Sequence, residues 1–238
     1  MKRRQSGWWL VILGAWTAGA LAQGIDARAL LNRVQERFDA INDYQVKVHL
    51  AVAIPNFRMP NKDIEVFFKK PDKLKVKASG FAPIPKYGFV PTPAAFLNDS
   101  INVEYVRAFR QGDTNYHVVK LTPKVPNKVN AAVLLRINAE RWTIDRVVLD
   151  FGKIGQTSAD ISYKLADGFW MPETTLLIFD LARNVPPVER PNINRPFGGM
   201  ERFGNDDEQP MQGRITITFS DFAVNRGIDD RLFDQKRK

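Results

Sequence analysis

The chain has no cysteine among its 238 residues. Disulfide frameworks, thiolate-bound zinc and cysteine nucleophiles are therefore excluded, and stability has to come from packing. Histidine is scarce too: His49 and His117 are the only two, which excludes a histidine-rich metal site. Acidic residues are in deficit, 26 against 35 Lys and Arg, for a net charge of +9. Beyond the first two dozen residues no apolar run approaches the roughly 20 residues that span a bilayer. What is present is ordinary globular material, 44% hydrophobic and 26% charged, at a length that suits one all-β domain or at most two small ones.

The N-terminus stands apart from the rest. Lys2, Arg3 and Arg4 precede an apolar stretch from Trp8 to Leu21, and Ala20-Leu21-Ala22 sets small residues at −3 and −1 before Gln23. This pattern predicts a secretory signal peptide over residues 1–22, cut after Ala22, and a single domain over 23–238. No cysteine follows the cut, so the chain is not itself a lipoprotein. Removing the leader takes three basic residues and no acidic one, so the exported chain stays basic. Such a protein meets anionic head groups or an acidic protein surface rather than nucleic acid.

After the leader, Leu30, Val34, Phe38 and Ile41 recur at helical spacing between charged and amide residues, which predicts an amphipathic helix over Asp26–Ile41 with Asp26 as its N-cap. The period then drops to two. Tyr44, Val46, Val48, Leu50, Val52 and Ile54 alternate with Gln45, Lys47 and His49. Ile64, Val66 and Phe68 repeat the pattern, as do Leu74 and Val76 between Lys73, Lys75 and Lys77. Further strands are expected at 102–110, 115–121, 131–138, 142–151, 156–165, 174–181 and 213–222, separated by turn signals such as Gln111-Gly112-Asp113 and Ala166-Asp167-Gly168. Two segments break the meander. Residues 80–98 set Phe81, Phe89 and Phe96 among four prolines, with Thr92-Pro93 placed to open a short helix. Residues 183–212 hold five prolines without a hydrophobic period and read as a long mobile excursion.

Catalytic signatures are missing. There is no G-x-S-x-G elbow, P-loop or dinucleotide fingerprint. His49 falls on the polar face of its strand, and no serine motif accompanies His117. Asp206-Asp207-Glu208 and Asp229-Asp230 lack the ligand spacing of a calcium loop. The expectation is a non-enzyme with no cofactor and no metal.

Several motifs, in order, resemble the LolA-like lipoprotein carriers of the bacterial periplasm. The leader is followed by an amphipathic helix that ends in Phe38-Asp39-Ala40-Ile41-Asn42-Asp43-Tyr44. The hairpin from Val66 to Val76 turns at Lys70-Pro71-Asp72-Lys73-Leu74, Phe169-Trp170-Met171-Pro172 precedes a late strand, and Asn225-Arg226-Gly227-Ile228-Asp229-Asp230-Arg231-Leu232-Phe233 closes the chain. The resemblance implies a mainly β fold: an open, unclosed antiparallel β-barrel of about ten or eleven strands, with the N-terminal helix and a short lid helix covering a hydrophobic cavity for acyl chains of lipoproteins or lipids. A related alternative is an RseB-like envelope-stress sensor that binds lipid and regulates a signalling partner.

One-sided strands and an amphipathic helix create more apolar inner surface than a small closed barrel would fill with its own side chains. Val48, Leu50, Val52, Ile64, Val66 and Phe68 are expected to line the cavity on the first two strands. Leu74, Val76, Ile161, Leu176, Ile215 and Ile217 are expected to continue it. Leu30, Val34 and Phe38 of the helix, with Phe81, Phe89 and Phe96 of the proline-rich loop, would form the lid. Lys73, Lys75 and Lys77 share one strand face and would dock an anionic membrane or an acidic transporter partner.

Overall fold

The computed structural model describes residues 25–55, 59–78, 93, 99–125, 131–181 and 211–234. Helix α1 runs Ala27–Asp39, with the Asp26 carboxylate accepting from the Arg28 amide as its N-cap. Among the described residues ten strands follow: β1 Asp43–Ala53, β2 Lys62–Lys69, β3 Lys73–Ala78, β4 Ile101–Gln111, β5 Thr114–Pro123, β6 Ala132–Asn138, β7 Ile144–Asp150, β8 Gly155–Ala166, β9 Phe169–Leu181 and β10 Met211–Val224. They form one antiparallel sheet in the order β3-β2-β1-β10-β9-β8-β7-β6-β5-β4. The sheet is open, with β3 and β4 at its two edges although they are consecutive in the chain. The first strand therefore pairs with the last, Tyr44 opposite Val224 and Val52 opposite Ile215.

The apolar alternation becomes an inner surface that crosses the sheet. One row reads Val52, Ile215, Leu177, Ala159, Val147, Leu135, Val119 and Tyr105, each opposite the next on the neighbouring strand. Side chains directly opposite in an antiparallel pair share a face, so this row is a continuous apolar line over eight strands.

Two boundaries differ from the sequence expectation for a clear reason. The seventh strand begins at Ile144 instead of Trp142, because Asn138 Oδ1 accepts from the amides of Glu140 and Arg141 and folds 138–143 into a turn with Trp142 at φ 55°. The ninth begins at Phe169, five residues before the expected Thr174. Pro172 lies inside it, opposite Tyr163 and beside the register shift between Ser162 and Tyr163. A bulge is where a strand tolerates the missing proline donor. The expected leader, the proline-rich loop apart from Pro93, with Phe81, Phe89 and Phe96, and residues 183–210 of the expected excursion lie outside the described residues, while Met211 and Gln212 of that excursion belong to β10.

Candidate functional site: an apolar inner face in two halves

Among the described residues most buried apolar side chains fall into two clusters. The first gathers Tyr44, Val46, Val48 and Leu50 of β1 with Ile64, Val66 and Phe68 of β2. Met171, Leu177 and Phe179 of β9, and Ile215, Ile217 and Phe219 of β10, complete it. Val52, Leu74 and Val76 pack against it partly buried. Ile161 is buried opposite Thr175. Thus eleven of the twelve positions named for the cavity point to the inner side of the sheet.

Leu176 differs. It stands opposite Thr216 and Asp160, in register with Ala51, on the outer face. In the run Leu176-Leu177-Ile178 alternation has no phase of its own, and pairing with Ile215 selects Leu177 as the inward residue. Phe179 also points inward and lies over Gly213. A Cβ at Gly213 would stand 2.5 Å from two Phe179 ring carbons, so the glycine leaves room for the ring.

The second cluster was not legible as a site. Ala27, Leu30, Leu31 and Val34 of α1 pack on Val119 and Leu121 of β5, Val133, Leu135 and Ile137 of β6, and Ile144 and Leu149 of β7. The helix therefore covers the β4–β7 half of the inner face. Its Leu30 and Val34 do not sit over Val48, Leu50, Ile64 or Val66, as a lid over those residues requires. Phe38 is the link: its ring lies 6.1 Å from that of Phe68, which stacks on Tyr44 at 5.1 Å. Burial of side chains such as Leu30, Leu31 and Val34 stabilises the docked helix by about 1.5–3 kcal/mol each.

Polar ties hold the helix unevenly. At its N-terminal end Arg28 Nη2 donates to the Ile101 carbonyl at 2.8 Å. At its C-terminal end Asn225, in the left-handed region at φ 54°, donates from Nδ2 to the Ala40 carbonyl, and its Oδ1 accepts from the Asn42 and Asp43 amides. The Lys70 ammonium adds a bond to the Asp39 carbonyl.

Beside that end lies a recess of about 110 Å³ between α1, the β6–β7 turn and the tip of the β8–β9 hairpin. Arg37, Phe38, Ile41, Arg141, Trp142, Tyr163, Phe169 and Trp170 are among its walls. Arg141 reaches Asp145 Oδ2 at 3.3 Å and lies over the Trp170 ring at 5.1 Å. Arg33 caps Trp142 at 4.8 Å, and Trp142 stacks on His117. The Tyr163 hydroxyl donates to the Ile144 carbonyl, and burial pushes that phenol well above its usual range.

The expected basic face is occupied by the chain itself. Lys73 pairs with Asp230 at 3.0 Å, Lys75 donates to the Leu232 carbonyl at 2.6 Å, and Lys69 meets both Asp230 and the Ile228 carbonyl at 2.8 Å. Lys77 lies over the Phe67 ring and pairs with Glu65. The C-terminal segment brings Asp230 and two backbone carbonyls to Lys69, Lys73 and Lys75, so this part of the strip clamps the tail, while Lys77 pairs within the β2–β3 hairpin. His49 Nδ1 contacts Asp63 at 2.8 Å in solvent on the outer face. His117 neighbours Tyr105 on the inner side.

Among the described residues no helix is long and apolar enough to cross a membrane. No family model matches the chain, and no curated protein does. Solved structures match over nearly its whole length. A LolA superfamily protein from Nitrosomonas europaea is 13% identical, with 89% of this chain and 98% of that one covered at a TM-score of 0.52. A putative outer membrane lipoprotein-sorting protein domain from Vibrio parahaemolyticus is 10% identical, with 88% and 97% covered at 0.52. A DUF1329 family protein from Desulfovibrio piger is 11% identical, with 87% and 95% covered at 0.52. At these identities the likeness is one of fold: the open antiparallel sheet with its N-terminal helix gives the chain a LolA-like fold.

Proposed function

We propose that the protein is a periplasmic carrier that binds acyl chains of lipoproteins or lipids against the inner face of its sheet and delivers them toward the outer membrane. In this reading residues 1–22 are a removed leader, residues 23–238 form one lipid-binding domain, and the protein binds and releases without catalysing a reaction. The observation that carries it is the continuous apolar inner surface of an open sheet, half of it covered by a separate amphipathic helix. The fold shared with a LolA superfamily protein and a lipoprotein-sorting domain supports it.

The 110 Å³ recess is below the roughly 300–1,000 Å³ of ordinary ligand pockets. α1 covers the β4–β7 half of the inner face, so acyl chains reach that half when the helix moves. The helix is tied at its C-terminal end by Asn225 and Lys70 and at its other end by Arg28, so it swings about residues 40–42. That motion uncovers Val119, Leu121, Leu135 and Ile137. Each methylene then covered by this surface returns about 0.8 kcal/mol, which offsets the loss of the helix's own contacts.

Native mass spectrometry of protein purified from the envelope, with titration of a fluorescent fatty-acyl probe, tests the reading. A co-purified lipid or lipopeptide and saturable probe binding are expected. Absence of both overturns it.

A further inference from the structure

We infer that the recess beside the C-terminal end of α1 is a docking site for the phosphate head group of an anionic phospholipid, and that it seats the tip of the β8–β9 hairpin on a membrane surface. Two arginines face it, Arg37 from the last turn of α1 and Arg141 from the β6–β7 turn, and among its described wall residues none is acidic. Arg141 is shared with Asp145, whose Oδ1 also accepts from the Thr143 hydroxyl. This partner fixes the guanidinium without closing it off, since the Arg141 side chain stays 30% exposed. A guanidinium presents paired donors that match phosphate oxygens.

The apolar rim points the same way. Leu165 and Trp170 face each other across the hairpin and so emerge on one side. They are 60% and 39% exposed, Trp170 being a wall of the recess and Leu165 its cross-strand neighbour. A tryptophan beneath an arginine, next to an exposed leucine, matches what an interface demands: apolar rings at the level of the head groups and cations against phosphate. The lysines of β3, by contrast, are already engaged, Lys73 by Asp230, Lys75 by the Leu232 carbonyl and Lys77 by Glu65. A soluble anion would use the arginines but has no need of Leu165 and Trp170, and this favours a bilayer as the occupant.

The test is co-flotation of the protein, as purified from cells, with vesicles of phosphatidylcholine alone or mixed with phosphatidylglycerol. Binding to the mixed vesicles is expected, with loss as salt shortens the Debye length from about 10 Å at 0.1 M to about 3 Å at 1 M. Leu165→Ser with Trp170→Ala should weaken it about tenfold or more, and Arg37→Gln about fivefold. All three residues are exposed, so the fold should survive. Lys73→Gln should leave binding unchanged. Equal binding to both vesicle types, or parental binding by the Leu165/Trp170 variant, overturns the inference. So does saturation of the tryptophan emission change by millimolar inorganic phosphate without vesicles, which marks a small-anion site. Loss of vesicle binding with acyl-probe binding retained in the Leu165/Trp170 variant, or the reverse in the parent, separates the two readings.

Discussion

At the scale of single residues the inner face makes sharp demands. Leu177 and Leu176 are chain neighbours on opposite faces, one 3% exposed in the core and the other outside it. Leu177→Ala is expected to cost about 2–5 kcal/mol and Leu176→Ala under about 1 kcal/mol in urea unfolding. Comparable losses would place the strand one residue out of register. Gly213→Ala should destabilise as well, because the added methyl meets the Phe179 ring and Phe179 is 1% exposed with little room to retreat. Asn225 combines a left-handed backbone, which asparagine tolerates, with three side-chain bonds to the α1–β1 junction. Asn225→Ala removes those bonds and keeps the strained φ, for an expected loss of about 2 kcal/mol, measured the same way. Gly at this position should recover only the backbone part.

At the scale of elements, strands were legible where charge and grease alternate, as in β1 to β3, and the helix was legible from its four-residue spacing and Asp26. The phase within Leu176-Leu177-Ile178 was not, because three apolar residues in a row carry no period and only pairing with β10 supplies it. The covered half of the inner face escaped notice because Val119, Leu135 and Ile137 alternate like any half-buried strand. Nothing in that pattern says which strands a helix will choose. The lysine strip misled because its partner lies more than 150 residues away in the tail. Hydrogen bonds from Lys69 and Lys73 hold the Asp230 carboxyl below the ordinary carboxylate range, and Arg231 does the same for Asp229. A carboxyl lowered in the folded chain supports it at neutral pH and withdraws that support as pH falls through about 4 and below. An NMR titration of the Asp230 carboxyl should therefore report a lowered pKa that rises in Lys73→Met, and the Leu232 and Phe233 amide signals should shift in the same acid range as the tail lifts from β3.

At the scale of the whole molecule, the two edges of the sheet belong to strands that are neighbours in the chain, and the first strand closes on the last. Read from β4 onward, the spatial order is β4 through β10 and then β1, β2, β3, a plain up-and-down meander entered part-way along. The helix end and the start of the tail already meet at Ala40 and Asn225. A circular permutant opened between residues 79 and 98, with its old ends joined by a flexible linker, would give every strand a sequence neighbour as its partner. Its contact order would fall, and stopped-flow refolding should be faster than that of the natural arrangement at similar stability. In the natural arrangement β1 waits for β10, so the sheet cannot be sealed until residues 211–224 are free to pair.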